Sequence, residues 1–130
     1  MELTLQNANE FNVDADEKFA FRHRPVDLAH LARYTMGNSV LEREVLELFR
    51  RQSRIYFDKL CNAASDDAWR DAAHVLKTSA RAAGAWQILA TAETAGQFAH
   101  APVQVMRDEL LACLRVQIEE ANAFIGNVLE

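Results

Sequence analysis

With only four glycines and two prolines in 130 residues, this chain has few points at which a helix must stop, and its aliphatic side chains recur at three- and four-residue steps. The pattern predicts an all-α fold, punctuated by those few breakers. Pro25 suits a first helical turn, where its missing N–H is not needed, and VDLAHLARYTMG reads as a short helix ended by Gly37. Ser39 and Glu42 have capping-box spacing, which starts a second helix running to about Ala63. Ser65, Asp66 and Asp67 bring acceptors and negative charge to the start of a third, which reaches Gly84. AWQILATAETAGQFAH is a fourth. Pro102 opens a fifth, whose stripe is Val103, Met106, Leu110, Leu114, Ala121, Phe124 and Val128. Four helices longer than three turns, joined by short links, predict an antiparallel up-down four-helix bundle preceded by a short N-terminal helix, over residues 25–130. Residues 1–24 show no sustained period and read as an irregular N-terminal arm.

Nineteen acidic residues against fourteen basic ones give a formal net charge of -5, so the long-range field repels phosphate backbones and anionic lipid. Neither nucleic acid nor a membrane surface is expected as a partner. The N-terminus lacks the basic start and apolar block of a signal peptide, and no apolar run is long enough to span a bilayer, which points to a cytoplasmic protein, expected to be a monomer. Cys61 and Cys113 lie inside helical apolar patterns without zinc-type spacing, so core packing is their expected role and no metal site is predicted. A Gly-rich phosphate loop is missing, which argues against nucleotide binding.

The third helix carries the chemistry. At about 100° per residue, Trp69, Ala72, Ala73, Leu76, Ser79, Ala80 and Ala83 share one face, which is predicted to be buried. His74 lies almost opposite. Its neighbours at helical spacing are Arg70, Lys77, Thr78 and Arg81, three cations and a hydroxyl around an exposed imidazole. Such a face suits an anion, and a neutral imidazole is a nucleophile toward phosphorus. His23, His30 and His100 have no comparable surroundings, and no two histidines have the i, i+4 spacing of a helical metal pair.

The stretch His74-Val75-Leu76-Lys77-Thr78-Ser79-Ala80-Arg81-Ala82-Ala83-Gly84-Ala85 resembles the signature of histidine-containing phosphotransfer (HPt) domains, roughly H-x-L-K-G-[SA]-[SA]-x-x-x-G-[AL]. The resemblance covers about Pro25 to Val128 and includes a glutamate, Glu93, on the fourth helix. It implies a carrier in a multistep His-Asp phosphorelay of two-component signalling. His74 would accept a phosphoryl group at Nε2 from the aspartyl phosphate of one receiver domain, that of a hybrid sensor kinase, and pass it to the aspartate of a response regulator. Lys77 would stabilise the phosphoryl oxygens. The resemblance also implies that the chain is a stoichiometric phosphocarrier rather than an enzyme with its own ATP site. It would bind no cofactor, the magnesium of the transfer belonging to the partner receiver. Two positions depart from the pattern. Thr78 replaces the usual glycine, and Gly96 stands where some members have a glutamine, which here follows one residue late as Gln97. Arg70 and Arg81 are added to the site from helical geometry alone, and Thr78 as a hydrogen-bond donor to the phosphoryl group or a restriction on access.

Small residues of the third and fourth helices (Ala72, Ala73, Ala80, Ala83; Ala85, Ala92, Ala95, Gly96, Ala99) predict a close, stiff pair that holds His74 in place. Leu28, Leu31 and Met36 either extend a docking surface for a receiver or cap the bundle. On the second helix, Leu41, Val45, Leu48, Phe49, Gln52, Tyr56 and Leu60 read as the core stripe, with Leu46, Arg50, Ser53 and Phe57 on the opposite side. A second apolar strip requires a cover, for which the N-terminal arm is the expected candidate. The competing function is a non-phosphorylated adaptor that uses the Arg70/His74/Lys77/Arg81 face to bind an acidic partner surface. An independent enzyme with His74 as general base is disfavoured, because no orienting carboxylate is evident at helical spacing.

Overall fold

The computed structural model describes residues 24–97 and 104–130. Within them lie five α-helices: α1 (Leu28–Tyr34), α2 (Ser39–Cys61), α3 (Asp66–Ala83), α4 (Trp86–Gln97) and α5 (Gln104–Leu129). Helices α2 to α5 form an antiparallel four-helix bundle preceded by the short α1. Each bundle helix packs against two others, α2 on α3 and α5, α4 on α3 and α5. The α3/α4 face and the α2/α5 face are therefore on opposite sides. The arm up to His23, and Ala99, His100, Pro102 and Val103, lie outside the described residues.

Local chemistry sets the helix ends. Ser65 caps α3 by accepting from the Ala68 N–H, with Asp66 and Asp67 in the first turn where the helix dipole favours them. At the start of α2 the cap is Asn38, not Ser39, its Oδ1 accepting from both Val40 and Leu41 N–H groups. Glu42 therefore does not complete a capping box. Its carboxylate accepts from the Thr35 hydroxyl instead, tying α2 to the end of α1. Pro25 precedes rather than opens α1, because Asp27 is the capping residue and accepts from the His30 N–H.

The core is built from one face of each helix. On α3 it is Trp69, Ala72, Ala73, Leu76, Ala80 and Ala83, as the periodicity predicts. On α4 Ala92 and Ala95 join Ile88, and Ala85 is buried in the preceding turn, so that α3 and α4 approach through small side chains. On α5 the central residues are Leu114, Ile118, Ala121, Asn122 and Ile125, while Val128 is exposed. Leu31 is buried and Leu28 packs on the core, which makes both of them caps on the bundle, whereas Met36 is 86% exposed.

Three readings of the sequence are corrected here. On α2 the buried residues are Leu46, Phe49, Ser53 and Leu60, while Leu41 and Leu48 are exposed. Leu46 and Ser53 of the supposed second strip are thus core residues, Ser53 against α5, while Arg50 and Phe57 remain half-buried beside them. Helix α2 has a neighbour on each flank, so its buried face lies between the two strips that its own periodicity offers. A serine at its centre disguises that face: Ser53 is fully buried, donates to the Arg50 carbonyl and accepts from the Asn122 amide at 3.4 Å. Cys61 and Cys113 are both exposed and do not pack the core.

Gly84 illustrates how a turn positions the site. It ends α3 with φ +81°, and a Cβ there would stand 3.0 Å from the Asp27 carbonyl oxygen and 3.2 Å from His30 Cδ2. Gly84→Ala is expected to destabilise the fold by about 2 kcal/mol, through left-handed backbone strain and displacement of α1. A thermal melt unchanged from the wild type would refute this account of the turn.

Candidate functional site

His74 projects from the middle of α3 and is exposed. What holds its helix are two polar locks, one on each side. Trp69 Nε1 donates to the Ala95 carbonyl at 2.7 Å, joining α3 to α4, and the Ser79 hydroxyl donates to Gln52 Oε1 at 2.7 Å, joining α3 to α2. They sit five residues before and five after His74, so the backbone beneath the imidazole is fixed from both directions.

Beside the imidazole runs a shallow groove of about 260 Å³, lined by Arg70, Ala73, His74 and Lys77 of α3 and by Ala92, Glu93, Gly96 and Gln97 of α4. Its floor consists of small residues. Gly96 keeps it open without being demanded by packing, since a Cβ there meets nothing within 4 Å. The two rims bring an imidazole and two cations opposite a carboxylate and an amide.

Of the site residues expected from sequence, the structure gathers His74, Lys77 and Arg70 at this groove and leaves two outside it. Arg70 forms an ion pair with Asp67 at 2.6 Å, so part of its charge is directed back along the helix. Arg81 does not line the groove. Its carbonyl oxygen instead accepts from His30 Nε2 at 3.0 Å, which docks α1 on the end of α3. Thr78 is exposed, and its hydroxyl donates to the His74 carbonyl at 3.0 Å. In this rotamer that hydrogen is engaged with backbone, a common arrangement for a threonine within a helix.

Sequence reasoning undervalued two residues. Gln97 reaches the groove although it follows the expected position by one residue, because Glu93 and Gln97 are i, i+4 neighbours and share a face. Asp71, three residues before His74, is exposed beside it on α3 but does not line the groove. Gln97 could be placed only once α4 was set against α3, whereas Asp71 stands at i−3 from His74 in the sequence itself, so a carboxylate does occupy helical spacing from the imidazole.

The far end of α3 is anchored by Asp27. Its backbone N–H donates to the Gly84 carbonyl at 2.9 Å, and its carboxylate accepts from the His30 N–H and from Trp86 Nε1. The His30 ring meets Trp86 edge to face at 4.7 Å. Burial pushes the Asp27 carboxyl up, but the bonds from Trp86 and His30 and the charges of His30 and Arg33 outweigh it, leaving it below the ordinary aspartate range. A carboxylate depressed on folding stabilises the fold above its unfolded pKa, and that contribution disappears as pH falls through the folded value. The Trp86 indole N–H resonance is accordingly expected to shift only at a pH below the ordinary aspartate range, and to lose this transition in Asp27→Asn. A transition that survives in the variant would remove Asp27 as its source.

Among the described residues, no group of three or more His, Cys, Asp or Glu side chains is placed to hold a metal ion, and no helix is long and apolar enough to cross a membrane. Compared with known proteins, the chain matches no family model, no curated protein and no solved structure.

Proposed function

We propose that this protein is a histidine phosphocarrier of the HPt type. In the proposed reaction Nε2 of His74 attacks the phosphorus of an aspartyl phosphate on a receiver domain, the P–O bond to that aspartate breaks, and the carboxylate leaves. The phosphoryl group then resides on the imidazole until the aspartate of a second receiver displaces it in the same way. The charge that spreads over the equatorial oxygens during transfer is met by Lys77, one turn from His74. The receiver would supply the magnesium.

One observation carries this reading: an exposed histidine on a doubly locked helix, at the rim of a shallow groove that also presents Lys77, Glu93 and Gln97. An open site suits a reaction whose other half arrives on a second protein. Tyr34, Met36 and Leu48 are exposed on the α1/α2 flank of α3, and Tyr34 and Leu48 border a further recess with Ser79 and Ala82. This flank offers a receiver apolar surface along the C-terminal half of α3. The adaptor alternative is less well supported, since Arg70 is paired with Asp67 and Glu93 faces the same groove.

The test is incubation of the protein with a phosphorylated receiver domain, followed by assay for acid-labile, alkali-stable phosphate on the chain. Uptake is expected, and its absence with every receiver tried would defeat the proposal. Lys77→Ala is expected to slow transfer on the order of tenfold, less than the loss from a buried, preorganised donor, because an exposed ammonium is partly replaced by solvent. Stopped-time phosphate transfer measures this.

A further inference from the structure

On the side of the bundle away from His74, α2 and α5 part to leave an open groove of about 740 Å³. Arg50, Arg54, Phe57 and Asp58 line it from α2, and Arg115, Ile118, Glu119, Asn122, Ala123 and Gly126 from α5. Its length along α5, from Arg115 to Gly126, is ~16 Å. Three features define what it would hold. The three arginines form no ion pair with a described residue, and they outnumber the two carboxylates of the groove in a chain whose net charge is -5. Phe57 and Ile118 supply an apolar wall. Asn122 is only 7% exposed, and its Oδ1 has no hydrogen-bond partner. A buried acceptor left unpaired costs about 1–3 kcal/mol, which an incoming N–H would relieve. The occupant is thus an acidic peptide with apolar side chains: carboxylates for the arginines, a hydrophobe for the wall, a backbone N–H for Asn122.

We propose that the groove is the docking site of this chain's own segment Glu10 to Glu17. That segment reads EFNVDADE, with four carboxylates and the apolar Phe11 and Val13. It is tethered within reach: from Asp14 to Arg24 an extended chain spans up to ~35 Å, more than the ~20–24 Å width of two helices. Tethering raises its effective concentration to about the millimolar range, so a weak peptide contact suffices. The docked segment would leave the His74 face clear for a receiver.

The test uses the full chain with Cys61→Ser, Cys113→Ser and Ala15→Cys, carrying a nitroxide on the new thiol. The expected result is loss of amide signal at Asn122, Ala123 and Gly126, with His74 and Gln97 preserved. Charge reversal of the arm, Asp14→Lys with Asp16→Lys and Glu17→Lys, leaves the bundle untouched and is expected to restore the signals. Reversal of the groove, Arg50→Glu with Arg54→Glu and Arg115→Glu, is expected to do the same. No selective loss, or a loss that survives reversal of the arm, would overturn the proposal. So would an equal loss in isotope-labelled chains that carry no nitroxide, mixed with nitroxide-bearing chains, which would assign the groove to a second copy.

Discussion

Offered a phosphorylated receiver domain, the His74→Gln protein is expected to acquire no acid-labile phosphate, a complete loss rather than a slowing. Glutamine keeps polarity and much of the bulk, but its amide nitrogen has no lone pair available for attack on phosphorus. The position makes the result interpretable. His74 is exposed, and among the described residues no hydrogen bond or ion pair uses its ring, so the substitution is expected to change stability by no more than about 0.5 kcal/mol. A melt alongside the transfer assay separates lost chemistry from lost fold. Another histidine is a poor substitute: the His30 ring is engaged with the Arg81 carbonyl and Trp86. Label retained in His74→Gln would show that the phosphoacceptor lies elsewhere.

The second large effect concerns stability. Trp69→Ala is expected to cost about 3–5 kcal/mol, a large part of the 5–15 kcal/mol that holds a typical domain folded. Trp69 is buried, bonds the Ala95 carbonyl, and lies under the Arg107 guanidinium at 4.7 Å. Arg107 in turn pairs with Asp66 at 3.0 Å, so one indole connects α3, α4 and the start of α5. Its removal leaves a cavity, deprives a buried carbonyl of its donor and takes the aromatic face from Arg107. Trp69→Phe keeps most of the packing and loses the N–H, so it is expected to cost markedly less. Equal losses in urea denaturation for the two variants would mean that the bond to Ala95, rather than the buried area, dominates.

The two predictions draw differently on the sequence. The exposure of His74 was legible because α3 is strongly amphipathic: alanines at helical spacing leave no doubt which face is buried, and the imidazole is opposite. Helix α2 was less legible. Its apolar residues are spread around the circumference, and its real core includes Ser53, whose burial depends on Asn122 of a helix that begins more than forty residues later. Similar logic applies to Gln97, displaced by one residue from the expected place yet on the groove. A shared face depends on how α4 is rotated against α3, and the Trp69 bond to Ala95 sets that rotation.

What the sequence determined by itself was therefore local: five helices, their breaks at Gly84 and near Gly37, the buried face of α3, and His74 with Lys77 on the outside. These follow from periodicity, capping and backbone preference, which act over a turn or two of chain. Tertiary structure alone decided which α2 residues are core, that Arg81 serves α1 through its carbonyl, that Glu93 and Gln97 complete the groove, and that three arginines line one groove with Asn122. Each of those depends on two helices meeting at a particular rotation, and that rotation is set by packing and by long-range polar locks, which no stretch of sequence contains.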